Sequence, residues 1–177
     1  MQEYHSRNLT IEENAYGICF YNTSNSVIEH NSLSKNNVGI GLIDSDNNTL
    51  YENIANNNSG GFFFPTGFGL YLMNSSHNSV KNNHANYNSK SGLSMWSSRN
   101  NTITSNTVSY NGDTGISLSD FSNNNNTLAD NTVIENLYYG IYIGKSSNGN
   151  TLLRNNVAGN KRQDIIDRGM DTSWDKW

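Results

Sequence analysis

A glycine followed by an aliphatic residue recurs along this chain at Gly17-Ile18, Gly39-Ile40, Gly69-Leu70, Gly92-Leu93, Gly115-Ile116 and Gly140-Ile141, at intervals of 22, 30, 23, 23 and 25 residues. Two asparagine columns keep step with it. The first is Asn31, Asn53, Asn83, Asn106, Asn131 and Asn155; the second lies five residues later each time, at Asn36, Asn58, Asn88, Asn111, Asn136 and Asn160. A repeat of this length is one small structural unit that cannot bury an apolar face alone, so it folds only by stacking on copies of itself.

The apolar residues recur at matching places. After each glycine comes an alternating stretch, as in Ile18-Cys19-Phe20 and Ile116-Ser117-Leu118, which puts the first and third side chains on one face of a short strand. Three residues before the first asparagine stand Ile28, Leu50, Val80, Ile103, Leu128 and Leu152. Two residues after it stand Leu33, Ala55, Ala85, Val108, Val133 and Val157. Each repeat thus offers three short strands with one or two inward side chains apiece. This predicts an all-β parallel solenoid of about seven coils, roughly 35 Å long at about 4.8 Å per coil. Helical repeats are excluded by 34 asparagines with many Gly, Ser and Thr, all weak helix formers, and by the lack of an i, i+3, i+4 apolar pattern.

Asparagine suits the corners of such a coil. It tolerates left-handed backbone best among non-glycine residues, and its amide donates and accepts at once. Both columns are therefore expected to form hydrogen-bonded ladders at the corners. The recurring phrase NNTLYEN at Asn47, NNTITSN at Asn100, NNTLADN at Asn125 and GNTLLRN at Gly149 reads as a corner followed by a core strand.

The whole of 1–177 reads as one domain, with repeats over about 9–160. At 60–68 the segment GGFFFPTGF lengthens one coil by about eight residues and holds the only proline. Insertions in solenoids emerge as loops on one side, often the binding side. Phe62, Phe63 and Phe64 either meet a ligand or partner there or fold back over the rod. In the tail 161–177, Asp164 stands where a glycine is expected, and Trp174 and Trp177 are candidates for an end cap.

A net charge of −4 with 11 scattered Lys and Arg offers no basic face for nucleic acid. The single Cys19 precludes an internal disulfide or a CxxC site. The N-terminal stretch lacks the apolar region of a signal peptide, and no run approaches the roughly 18 apolar residues of a membrane span. The expectation is either a cytosolic protein or a piece of a longer exported one.

With its G-[IL]-x-[LFMI], N-[TS]-[LIV]-x-x-N and x-[LAV]-x-x-N elements, the chain resembles the right-handed parallel β-helix family called NosD, or the CASH domain of carbohydrate-binding proteins and sugar hydrolases. The resemblance spans about Leu9 to Asn160. It implies a right-handed coil and an extracellular, cell-surface or periplasmic setting. It leaves several roles open: polysaccharide lyases, hydrolases and epimerases, accessory proteins of periplasmic copper-enzyme maturation, and surface proteins of unknown role.

Two outward patches are candidates for function. Tyr21, Tyr71, Trp96 and Tyr142 would form an exposed aromatic strip near the Phe62–Phe64 loop, suited to sugar faces or to a protein partner. His30, Glu52, Tyr51 and Lys81, with His84 one strand along, supply the acid, base and cation that a uronate lyase or epimerase needs. Paired aspartates for glycoside hydrolysis are lacking: Asp44 and Asp46 share one turn, while Asp113, Asp120 and Asp130 fall in different columns. The Asp-Pro-His motif of related alginate epimerases is missing, since Thr66 follows Pro65. No column supplies the convergent oxygens calcium requires, and His5, His30, His77, His84, Met95 and Cys19 do not fall together as copper ligands, leaving at most a Met73 and His77 pair. No cofactor is expected.

Seven N-x-S/T sequons, at Asn8, Asn22, Asn47, Asn57, Asn74, Asn100 and Asn125, follow from the repeat itself. The favoured expectation is a non-catalytic module binding polysaccharide or a protein partner along the aromatic strip. A polysaccharide-modifying enzyme, a copper-maturation accessory protein, a ligand-free spacer, or a unit associating end to end through open β edges are the alternatives.

Overall fold

In the computed structural model, which describes residues 3–60, 66–119 and 121–175, the chain winds as a right-handed parallel β-helix of about seven turns. No helix occurs among the described residues. One face is an eight-stranded sheet running from His5–Arg7 through Val27–Glu29, Thr49–Tyr51, Ser79–Lys81, Thr102–Thr104, Thr127–Ala129 and Thr151–Leu153 to Ser173–Trp174. The second face has seven strands: Tyr16–Tyr21, Val38–Ile43, Phe68–Met73, Leu93–Trp96, Ile116–Leu118, Tyr139–Ile143 and Gln163–Asp167. The third face is slighter, with single bridges through Ile54 and His84 joining its strand pair Thr10–Glu12 and Ser32–Ser34 to three later strands that begin at Thr107–Ser109.

The register puts like on like. Ile28, Leu50, Val80, Ile103, Leu128 and Leu152 pair strand to strand, and all are buried. Each such side chain is worth roughly 1.5 to 3 kcal/mol on burial, and only the stack removes it from water.

The doublet at the head of each phrase divides two tasks between two residues. In Asn47-Asn48, Asn100-Asn101 and Asn125-Asn126 the first residue is left-handed, at φ 58, 53 and 56, and Gly149 fills the same place at φ 64. The second turns inward and joins a ladder of Ser26, Asn48, Asn78, Asn101, Asn126 and Asn150. The same division holds at the other corners: His30, Glu52, Asn82, Ser105, Asp130 and Arg154 carry the positive φ just before Asn31, Asn53, Asn83, Asn106, Asn131 and Asn155. The expectation that one asparagine does both is corrected here, because an amide held inward by the ladder leaves the reversal of the chain to its neighbour.

Four ladders line the interior. Besides the column beginning at Ser26, Asn31 to Asn155 form one and Asn36 to Asn160 another. A shorter one of Ser45, Ser75, Ser98, Asn123 and Ser147 completes the set. The bonding is repetitive: Asn106 Oδ1 accepts the Asn83 N–H at 2.9 Å, while its Nδ2 donates to the Val80 carbonyl at 2.9 Å and to Asn131 Oδ1 at 3.0 Å.

These ladders also help explain the glycines. A Cβ on Gly115 would meet Val133 Cγ1 and, at 2.7 Å, Asn136 Nδ2, and one on Gly140 would meet Val157 Cγ1 and, at 2.6 Å, Asn160 Nδ2, so the next coil's valine and asparagine together fill the space beside each glycine. Asp164 pairs in this column beside Gly140. Its own carboxylate accepts the Asn160 N–H at 3.0 Å and Nδ2 at 2.9 Å, ending the ladder where a further coil's asparagine would otherwise stand. Trp174 pairs with Leu152 and is 38% exposed, lining the open end of the core with Val157 and Ile165. Trp177 lies outside the described residues.

Candidate functional site

On the seven-stranded sheet, side chains alternate between the core and an outer face. Two outward columns run along that face. Cys19, Gly41, Tyr71, Ser94, Ser117 and Tyr142 make one; Tyr21, Ile43, Met73 and Trp96 make the other. The four aromatics expected in one strip are thus split between two columns.

Their exposure differs as well. Tyr21 is 68% exposed, Trp96 and Tyr142 are half-buried, and Tyr71 is 0% exposed. Tyr71 is therefore not a surface ligand contact. Its ring stacks on Phe68 at 5.4 Å and belongs to an outer apolar cluster with Val38, against which Tyr16, Met73 and Trp96 pack. Tyr16 lies over Gly41, where a Cβ would meet its ring at 2.7 Å. Burial pushes the Tyr71 phenol well above the ordinary tyrosine range. Phe62, Phe63 and Phe64 fall outside the described residues.

The aromatic surface that remains has members not foreseen from the repeat. Phe121, 50% exposed, stacks on Trp96 with centroids 4.6 Å apart and planes 22° from parallel. It comes from a turn two residues longer than its equivalent in the preceding coil, since Ser119 and Asn123 occupy the places of Trp96 and Ser98. That lengthening is the signal that could have found it. Further along, Tyr139 stacks on Tyr142 at 5.7 Å, and Tyr138 meets Tyr139 edge-on at 4.5 Å. Between the Trp96–Phe121 pair and this tyrosine group, Tyr142's column carries Ser94, which is buried, and Ser117, which is half-buried. Flat rings on either side of the small Ser117 suit a pyranose, whose apolar face can lie on a ring with a hydroxyl toward that serine.

The polar patch does assemble. His30 Nδ1 lies 3.2 Å from Glu52 Oε2, and the His30 ring meets Tyr51 edge-on at 5.7 Å. The Glu52 carboxylate, accepting the Tyr51 hydroxyl's hydrogen bond, raises that phenol above its ordinary range. A phenol so held has a proton to donate, the chemistry of an acid and not of a tyrosinate base. Lys81 pairs beside Tyr51 in register, and His84 stands beside Ile54 on the third face. His30 and Glu52 line an open depression of about 410 Å³ with Leu9, Ser32 and Ile54, while Tyr51 and Lys81 lie outside it.

The sequence profile described as periplasmic copper-binding protein (NosD) matches residues 62–176, and the profile of the right-handed β-helix region matches residues 5–68. The chain belongs to the NosD family. Curated protein sequences yield no match. Among solved structures, this NosD-family chain is similar to the periplasmic alginate epimerase AlgG, with a TM-score of 0.80 and 20% identity over 97% of this chain and 46% of that one. It is also similar to the A-module of the mannuronan C-5 epimerase AlgE4 of Azotobacter vinelandii, at a TM-score of 0.76 and 15% identity over 97% of this chain and 57% of the other. DFA-IIIase from Arthrobacter chlorophenolicus A6 follows at 0.63 and 16%, over 80% and 35%. The chain therefore spans about half the length of the epimerase structures, and at these identities the likeness concerns the fold.

The soft donors that the family's description invites one to inspect are dispersed in this NosD-family chain. His5 holds Glu29 at 2.8 Å, His30 holds Glu52, Met95 is buried in the core, and Cys19 stands in the Gly41 column. Among the described residues no three His, Cys, Asp or Glu side chains converge. No helix among them is long and apolar enough to cross a membrane.

Proposed function

We propose that this chain is a polysaccharide-binding β-helix module of an exported protein, acting at the cell surface or in the periplasm, with the outer face of its seven-stranded sheet as the contact surface. The observation that carries this reading is the Trp96–Phe121 stack, with the half-buried Ser117 beside it and Tyr142 beyond that serine. Two of the solved structures of the same fold are named as epimerases of alginate and of mannuronan, which supports the class of ligand. Titration with an oligosaccharide panel, followed by calorimetry and tryptophan fluorescence, tests it. Trp96→Ala and Phe121→Ala should each weaken binding about tenfold, the equivalent of losing about 1.4 kcal/mol. A panel that gives no binding at all refutes the reading.

A second reading rests on the assembled His30, Tyr51 and Glu52 group: a uronate-modifying enzyme with His30 as base and Tyr51 as acid. Incubation with uronate polymers, read as new double-bond absorbance or as epimer change by NMR, tests it. Activity must vanish in His30→Ala.

A further inference from the structure

The C-terminal edge of the same outer face carries a different chemistry from its middle. The edge strand Gln163–Asp167 brings Tyr139 against Gln163 and Tyr142 against Ile166, and exposed arginines flank it at both ends. Arg162 Cζ lies 4.6 Å from the Tyr138 ring centroid and 5.5 Å from that of Tyr139; Arg168 Cζ lies 5.8 Å from that of Tyr142. Among the described residues neither arginine has a carboxylate within 4.0 Å.

The nearby acids are otherwise engaged. Asp164 turns inward to Asn160, Asp167 accepts the Gly169 N–H at 2.9 Å, and Asp113 accepts from Thr114. Along the edge itself, from 161 to 168, the cations Lys161, Arg162 and Arg168 outnumber the acids Asp164 and Asp167, in a chain whose net charge is −4. A guanidinium held against a ring keeps its N–H edges for a planar or tetrahedral oxyanion, which it takes in bidentate fashion. Six residues of extended chain set the two arginines roughly 20 Å apart.

We propose that this edge is a subsite for an anionic saccharide, in which Arg162 and Arg168, each set against a tyrosine ring, take a carboxylate or sulfate-ester group. The proposal rests on the sugar-binding reading above and adds the charge of the ligand. Nucleic acid, the other polyanion, lacks the continuous basic track it would need here.

The test titrates the whole chain with three oligosaccharides of equal length, a uronate, a sulfate ester and a neutral glucan, at low and high salt, with a single-stranded oligonucleotide alongside. At least one charged saccharide should bind tenfold or more tighter than the glucan, and salt should weaken it. Arg162→Gln and Arg168→Gln should each remove most of that preference while leaving glucan binding unchanged. Arg162→Lys should restore it only in part, because the charge returns without the fork. The uronate and sulfate arms tell which oxyanion is preferred. Equal binding of charged and neutral saccharides, or arginine variants that behave as wild type, overturns this inference and leaves the sugar-binding face standing. An oligonucleotide that outcompetes every saccharide overturns it too, and binding to no saccharide overturns both.

Discussion

Asn100 and Asn101 are chemically identical neighbours, and the same substitution should affect them in opposite ways. Asn100 is exposed, sits at φ 53, and holds the corner with its backbone alone, its N–H donating to the Asn124 carbonyl at 3.0 Å. Glycine adopts that φ at no steric cost, and the chain already uses it at the equivalent Gly149. Asn100→Gly is therefore expected to change stability by no more than about 0.5 kcal/mol.

Asn101 is 1% exposed and its side chain makes four ladder bonds. Its Oδ1 accepts the Asn78 N–H at 2.8 Å and Asn78 Nδ2 at 3.1 Å, and its Nδ2 donates to the Ser75 carbonyl at 3.0 Å and to Asn126 Oδ1 at 3.1 Å. Asn78 Nδ2 keeps a second acceptor in the Ser45 carbonyl, but the Asn78 N–H is left buried with none. One orphaned buried donor costs about 1 to 3 kcal/mol, and the added backbone freedom of glycine roughly 0.5 to 1 more. Asn101→Gly should thus cost about 3 kcal/mol, or a fall in Tm of roughly 6 to 12 °C for a domain of this size. Urea unfolding of the two variants beside wild type measures the difference directly. Equal effects on the midpoint would falsify the division of labour at the corner, and so would a larger loss in Asn100→Gly.

The same reasoning gives further expectations. Asp164→Ala strips the Asn160 N–H of its acceptor, while Nδ2 keeps the Val133 and Ala158 carbonyls, and should cost about 1 to 2 kcal/mol, whereas Asp164→Asn, which keeps an oxygen there, should unfold close to wild type. Tyr71→Ser should destabilise by about 3 kcal/mol or more, with glycan affinity per folded molecule unchanged, since the ring is buried filling; a selective loss of binding with full stability would return Tyr71 to the surface. The hydrogen bond from Arg154 holds the Asp130 carboxyl below its ordinary value, so its contribution is present above the unfolded pKa and is lost as pH falls through the folded one. Asp130→Asn should accordingly narrow the stability difference between neutral and strongly acidic solution; an unchanged acid transition counts against the pair.

What the repeat made legible is what stacking enforces. An inward column must keep the same class of residue in every coil, so Ile28 through Leu152 and Asn31 through Asn155 declare themselves by period alone. The outer face is under no such rule. Alternation assigns Tyr71 outward but cannot say that outward means wet, because the cover comes from a separate register column, Tyr16, Val38 and Phe68, that packs over the outside of the sheet and not into the core. Phe121 and Arg162 escaped for a related reason: one stands in a lengthened turn and the other just past the last repeat, where column alignment stops. Recognition surfaces on a solenoid are built from such departures, since a residue present in every coil serves the stack and one present in a single coil is free to serve a ligand. By that criterion Trp96 stacked on Phe121 and the Arg162 and Arg168 edge are stronger candidates than the expected strip of Tyr21, Tyr71, Trp96 and Tyr142 taken as a whole, and variants at Trp96, Phe121, Arg162 and Arg168 should separate binding from folding where variants in the ladders cannot.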